Sequence, residues 1–244
     1  MLLIILLILL IIMIQYRKGV DRKNIKLNVF TITGIILLLF IYHDIKYKNK
    51  INIRRSVSPE KRKSILIELY NMIIDASETT KTKPFLIYGT LLGYYRNKDL
   101  ICYDYDLDFG IDSNEYKDIT NYLIKNIDKY PEYKINIKHF LHYKTIEIFH
   151  KETLVSADIC SFTLKNNMYS RDIPKLYAKY YLKEDCVYMD KEWITPLKTD
   201  RFLNRDCYIP NIPENLLKCY YGNDFIVPDH ICNEDCTICN KKNN

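Results

Sequence analysis

The chain has 244 residues, 48% of them hydrophobic and only six of them glycine, and carries a net charge of +6. That is enough apolar material for one packed domain of ordinary size plus an appendage, and it excludes a disordered chain. The charge is modest, and no dense Lys/Arg block or basic–aromatic repeat suggests a nucleic-acid groove.

The N-terminus reads as membrane material. Met1 to Ile14 is an unbroken apolar run, and a second run, Leu27 to Tyr42, is interrupted by Asn28 and a few small or polar residues. Each run spans roughly 21–24 Å as a helix, short for a hydrocarbon core of about 30 Å. Three arrangements stay open: two short spans, one span behind an apolar leader, or a cleaved leader. The third lacks a basic n-region and a small-residue cleavage site. Arg17, Lys18, Arg22, Lys23 and Lys26 lie between the runs, and Lys46, Lys48, Lys50, Arg54 and Arg55 follow the second, so the charge bias assigns no orientation.

Lys46 to Val57 reads as a linker. Ser58-Pro59-Glu60 is a helix start, with the serine as N-cap, proline at the first position and an acid in the first turn. Ile65, Leu66, Leu69, Met72 and Ile73 repeat at helical spacing and form a core stripe. Thr79 to Pro84 turns into a short buried strand, Phe85 to Tyr88. Gly89-Thr90 breaks that strand, and Leu91 to Arg96 has room for about two helical turns.

The alternation that follows is the most informative stretch. Asp104, Asp106 and Asp108 fall at i, i+2 and i+4, so an extended strand projects all three to one face, with Tyr105, Leu107 and Phe109 on the other. Three carboxylates within about 7 Å repel one another unless neutralised. A divalent cation does this, and oxygen ligands suit Mg2+ or Mn2+. The plain alternative is an acidic strand edge in water. Against it, aspartate is a poor strand former, yet here it alternates with large apolar residues.

Further on, Asp112-Ser113 can cap a helix over roughly Asn114 to Ile127, and short strands are expected at Tyr133 to Ile137, Thr145 to Phe149 and Leu154 to Ile159. The last carries Asp158 among apolar neighbours, expensive for an acid unless it is paired, metal-bound or at a wet strand end. Pro213 to Tyr221 reads as a short helix stopped by Gly222. Of the eight cysteines, Cys102, Cys160, Cys186, Cys207 and Cys219 are scattered, while Cys232, Cys236 and Cys239 cluster after His230. Zinc, disulfides in a secretory lumen and free thiols in cytosol all remain open for them. No G-x-S-x-G, H-E-x-x-H or P-loop string is present.

The stretch from Phe85 to Asp112 resembles the signature of the LicD/fukutin family, a Y-G-T-x-L-G start, an arginine, then D-x-D-x-D. Gly89, Thr90, Leu92, Gly93, Arg96, Asp99, Ile101, Asp104, Asp106 and Asp108 fall where that pattern expects them. Asn97-Lys98 and Cys102-Tyr103 depart from it, replacing a frequent His-Gly and Pro-Trp. Ala157 to Phe162, Trp193 to Leu197, Cys207 to Pro210 and Tyr221 to Pro228 are similar to later family elements, so the likeness covers about residues 85–229.

The resemblance implies an α/β (α+β) nucleotidyltransferase-like mixed sheet flanked by helices, behind an N-terminal hydrophobic anchor. The expected organisation is a membrane anchor of one or two transmembrane helices over 1–45, a linker over 46–57, the transferase domain over 58–230 and a Cys-rich polar tail over 231–244. The implied reaction moves a substituted phosphate, such as phosphocholine or ribitol phosphate, from a CDP-activated donor to a glycan hydroxyl. In this reading Asp106 and Asp108 hold Mg2+ or Mn2+ with Asp104 as an additional ligand, and Asp158 is the base or a further ligand. Gly89 and Thr90 offer hydrogen bonds to phosphate, and Arg96 a charged fork. The expected partners are the donor, a glycan or glycoconjugate acceptor and a lipid bilayer, with no nucleic acid. Golgi, endoplasmic-reticulum and viral or host membranes all suit the anchor. A D-x-D glycosyltransferase using a UDP-sugar and an inactive membrane-tethered binding module are the alternatives.

Overall fold

A computed structural model describes residues 22–140, 143–173, 186–228, 230–232, 236 and 239–241. The chain divides into two compact units, Met1–Ile53 and Arg54–Asn244. In the first, the run Met1 to Ile14 lies outside the described residues. The run Leu27 to Tyr42 is part of α1 (Arg22–Arg55), on which Leu37, Leu38, Ile41 and Tyr42 stand exposed. Among the described residues no helix is long and apolar enough to cross a membrane. Helix α1 also runs through most of the expected 46–57 linker, because no proline or glycine interrupts the chain before Pro59.

The second unit opens with α2 (Pro59–Thr80). Ser58 Oγ accepts from Lys61 N at 3.3 Å, so the cap and Pro59 act as their positions in the sequence predict. Ile65, Leu66, Leu69, Met72 and Ile73 are all buried.

The strands are β1 (Phe85–Leu86), β2 (Asp106–Asp112), β3 (Tyr133–Phe140), β4 (Tyr143–His150), β5 (Ser156–Lys165), β6 (Met168–Arg171), β7 (Tyr188–Asp190), β8 (Lys198–Phe202) and β9 (Arg205–Ile209). They join one sheet in the order β3-β4-β5-β2-β1-β9-β8, with β6 pairing β5 and β7. The pairs β2/β5 and β1/β9 are parallel and the other pairs antiparallel, so the sheet is mixed.

Period-2 alternation divides the sheet into two faces. One is apolar: Leu107, Phe109 and Ile111 from β2, Ala157 and Ile159 from β5, and Ile146 and Ile148 from β4 are fully buried. Helix α2 covers this side, its Tyr70 ring stacked 6.2 Å from Phe109, together with α4 (Tyr116–Asn126). The opposite face of β2 and β5 carries the acids. Helix α3 (Tyr88–Asn97) packs on β2 and on α6 (Pro213–Tyr221), and the short α5 (Lys191–Ile194) also meets α6.

Two local expectations need correction. The first strand ends at Leu86, because Tyr88 takes φ 45° and turns the chain straight into α3, so Gly89 and Thr90 are helical. The acidic strand begins only at Asp106; Asp104 sits before it in a turn closed by Asp104 N donating to Ile101 O at 3.0 Å. The carboxylate of Asp104 is therefore not the first of three on one strand face.

The cysteines pair Cys102–Cys236, Cys186–Cys219 and Cys232–Cys239, leaving Cys160 and Cys207 as buried thiols. The expected polar tail holds a small hairpin of β10 (His230–Cys232) and β11 (Cys239–Lys241), bridged by the third disulfide. The first disulfide ties the tail to the turn that presents Asp104.

Candidate active site

Strand register, a long-range property, assembles the site. Asp108 lies directly across from Asp158 on β5, Asp158 across from Glu147 on β4, and Glu147 across from Asn136 on β3. Neighbouring strands are about 4.8 Å apart, so four polar side chains form a row across one face. Asp106 stands two residues along β2 on that face, opposite Ser156. The sequence brought out Asp106, Asp108 and Asp158. It did not bring out Glu147, which is 6% exposed, accepts from Asn136 Nδ2 at 3.3 Å and pairs with Lys138 at 3.2 Å.

Each acid meets a different neighbourhood. Asp106 has a cation nearby: the buried Arg54 approaches its Oδ2 at 3.6 Å while donating to Leu154 O and to Ser156 Oγ, both at 2.6 Å. Asp108 is pushed well above the usual carboxylate range by burial and by the charges of Asp106 and Asp158. Asp158 is pushed up to about 6, chiefly by burial, with Glu147 and Asp106 adding to it against the opposing pull of Lys138 and Arg171. Its Oδ1 is shut off from solvent without a hydrogen-bond partner. Asp104, raised to about 7 by burial and by Asp106, joins the same charge cluster from its turn.

The turn into α3 supports these acids. Thr90 Oγ1 accepts from Asp108 N at 2.8 Å, so the hydroxyl expected to meet phosphate fixes the backbone of an acid. The first α3 ladder bond runs from Leu91 N to Ile87 O, so the N–H groups of Tyr88, Gly89 and Thr90 precede the ladder. Gly89 has no side chain for a spatial reason: a Cβ there would stand 2.9 Å from Asp104 Oδ2. Arg96 is turned to another task, its guanidinium donating to the carbonyls of Phe225 and Val227. It holds the segment after α6 against α3.

Tyrosines flank the acids. The Tyr88 and Tyr220 rings lie 4.5 Å apart, and Arg171 Nη1 reaches Tyr88 Oη at 3.3 Å. Burial pushes the Tyr221 hydroxyl up, and the charges of Asp108 and Asp104 add to this, which places it beside the cluster. A cleft of about 440 Å³ runs from Asp104 past Arg62 and Lys63 to Cys236, polar enough for a hydroxylated ligand.

Among the described residues no three His, Cys, Asp or Glu side chains already converge as a metal cage. The donor set still fits a hard cation in its chemistry. Asp108 and Asp158 are register partners, Asp106 is next to them, and the partnerless Oδ1 of Asp158 lacks a positive or donating group.

A mixed sheet with a turn-and-helix preceding an acidic strand, and a further acid on the strand beside it, defines a nucleotidyltransferase-like phosphoryl-transfer scaffold. Residues 81–212, a little over half of the chain, match the LicD/FKTN/FKRP nucleotidyltransferase domain family, and the chain belongs to it. That family gives the protein a transferase role on phospho-substituents. No curated protein matches the chain.

Proposed function

We propose that the protein is a membrane-anchored, metal-dependent transferase that moves a substituted phosphate from a CDP-activated donor to a glycan hydroxyl. The observation that carries this reading is the register pair Asp108–Asp158, two raised carboxylates side by side in a family of phospho-substituent transferases. Asp106, Asp108 and Asp158 would hold the cation, with Asp104 in reach of the same charge. A bound Mg2+ or Mn2+ supplies positive charge to the diphosphate and to departing CMP.

The reaction balances without a further reagent. The acceptor oxygen bonds to the phosphorus bearing the substituent, and the bond from that phosphorus to the bridging oxygen breaks. CMP leaves with the electron pair, and the hydroxyl proton passes to a carboxylate. Asp158, with a pKa near 6, is suited to take it at neutral pH. The cleft past Arg62 and Lys63 leads the acceptor to Asp104.

The test is a donor screen with the full chain. CMP release from CDP-choline or CDP-ribitol, abolished by EDTA and restored by Mg2+ or Mn2+, is the expected result. UDP release from a UDP-sugar would move the protein to the glycosyltransferases. Absence of turnover with every donor would leave a binding module.

The paired cysteines support an oxidising compartment for the catalytic unit, such as a secretory lumen, with the apolar runs as its tether. Maleimide labelling of the denatured chain, quenched directly from cells, is expected to modify two thiols before reduction and all eight after it. Eight modified thiols without reduction would place the unit in a reducing compartment.

A further inference from the structure

The expected phosphate fork, Arg96, is occupied with the carbonyls of Phe225 and Val227, yet a diphosphate bound against carboxylates needs more positive charge than the acids' own cation supplies. The sheet register points to a different arginine. On β5, Asp158, Cys160 and Phe162 alternate onto one face, and Arg171 on antiparallel β6 is the register partner of Phe162. Arg171 therefore stands on the acid face, four residues along β5 from Asp158. The side chain between them, Cys160, is small and leaves room for the guanidinium to lie back along the strand.

The surroundings hold Arg171 in place. Its Nη1 donates to Tyr88 Oη at 3.3 Å, and its guanidinium lies 5.6 Å from the Tyr88 ring centroid. Tyr88 is itself fixed, with the Tyr220 ring 4.5 Å away and a φ of 45° that a bulky residue adopts only under constraint. The next residue pins the strand end: Asp172 accepts from Ser161 Oγ at 2.6 Å and from Thr163 Oγ1 at 2.7 Å, and its N–H donates to Ser161 O at 2.8 Å.

We infer that Arg171 is the arginine that contacts the diphosphate of the nucleotide donor, bridging to it from the Tyr88 side while the carboxylates hold it from the other. The inference rests on the proposed donor class and names a residue for the same site. The alternative is a countercharge for the buried acids alone. The field of Arg171 does reach Asp108 and Asp158, yet both remain raised, so it does not neutralise them. Its directed hydrogen bond goes to a neutral hydroxyl. A ligand carrying two negative phosphates between a carboxylate-held cation and a fixed guanidinium satisfies both sides.

The experiment is calorimetric titration of the full chain with CDP in Mg2+, alongside cytidine, for wild type, Arg171→Gln, Arg171→Lys and Arg96→Gln. Arg171→Gln is expected to weaken CDP about tenfold or more, the cost of a lost charged hydrogen bond, while cytidine affinity is unchanged. Arg171→Lys should fall between, because it keeps the charge and loses the fork. Arg96→Gln should lower the melting temperature and leave CDP affinity within about threefold, since an interaction with backbone carbonyls makes no ligand contact. Wild-type CDP binding matched within twofold by Arg171→Gln would overturn the assignment and leave the donor class standing. Failure of wild type to bind CDP, UDP or pyrophosphate in Mg2+ would overturn the donor class and this assignment with it. Loss of folding in both Arg171 variants would assign the residue to the scaffold and overturn it as well.

Discussion

Asp108→Asn should cut turnover by about a thousandfold or more and at the same time raise the melting temperature of the metal-free protein. Loss of activity follows from removing the central member of the acidic row. The gain in stability follows from its environment: Asp108 is held above the usual range by burial and by Asp106 and Asp158, so its ionised form is unfavourable in the fold. Asparagine has nearly the same shape, and the bond from the residue-108 backbone N–H to Thr90 Oγ1 survives because it uses no side-chain atom of that residue.

The sign can be checked by pH. Asp104 rises to about 7 and Asp158 to about 6 in the fold, against about 3.9 in an unfolded chain. Between those values the folded state binds more protons than the unfolded one, so the stability of the metal-free protein falls as pH rises from about 4 to about 7. Below about 4 both states are protonated and this contribution is fully present. Thermal melts across pH 5 to 8 measure it: the melting temperature should drop toward pH 8, drop less in Asp108→Asn, and recover in wild type when Mg2+ is added. A flat profile in the metal-free wild type would remove the charge conflict on which the metal reading stands.

What was legible in the sequence was local. The start of α2 follows from Ser58, Pro59 and Glu60, and the bounds of α6, Pro213 to Tyr221, follow from a proline at one end and Gly222 at the other. The strand carrying Asp158 and the strand of Glu147 were likewise visible as alternation. What alternation cannot supply is register. Nothing in Thr145 to Phe149 alone says that Glu147 will face Asp158, because that pairing depends on how β4 is laid against β5.

The same reasoning explains Arg96 and Arg171. An arginine inside a motif-like stretch invites a ligand role, but the partner carbonyls of Arg96 lie about 130 residues away in the chain. Arg171 sits at the end of a four-residue strand with no local pattern to mark it. The turn at Tyr88 escaped notice because a positive φ at a tyrosine contradicts its own propensity, and only the packing of Tyr220 and Arg171 around it accounts for it. The disulfide partners of Cys102 and Cys186 are distant as well, 134 and 33 residues along the chain, beyond any spacing rule.

Asp158→Asn should lower kcat by at least about a hundredfold while the protein stays folded, since the change is nearly isosteric and relieves charge next to Asp108 and Glu147. The two roles open to Asp158 give different signatures. As the base, its ionisation near pH 6 sets the acidic limb of kcat/KM, and the variant should lose that limb while its Mg2+ requirement stays where it was. As a ligand, it should raise the Mg2+ concentration for half-maximal activity and leave the limb in place. The partnerless Oδ1 favours a direct contact of one kind or the other, because a shielded acceptor with no donor is costly in a site that is complete without a ligand. A strand-end acid in water would behave differently, changing stability by no more than about 0.5 kcal/mol and leaving turnover near normal. A variant that folds, binds Mg2+ at the wild-type midpoint and turns over at the wild-type rate would remove Asp158 from the site and leave Asp106 and Asp108 to carry the chemistry.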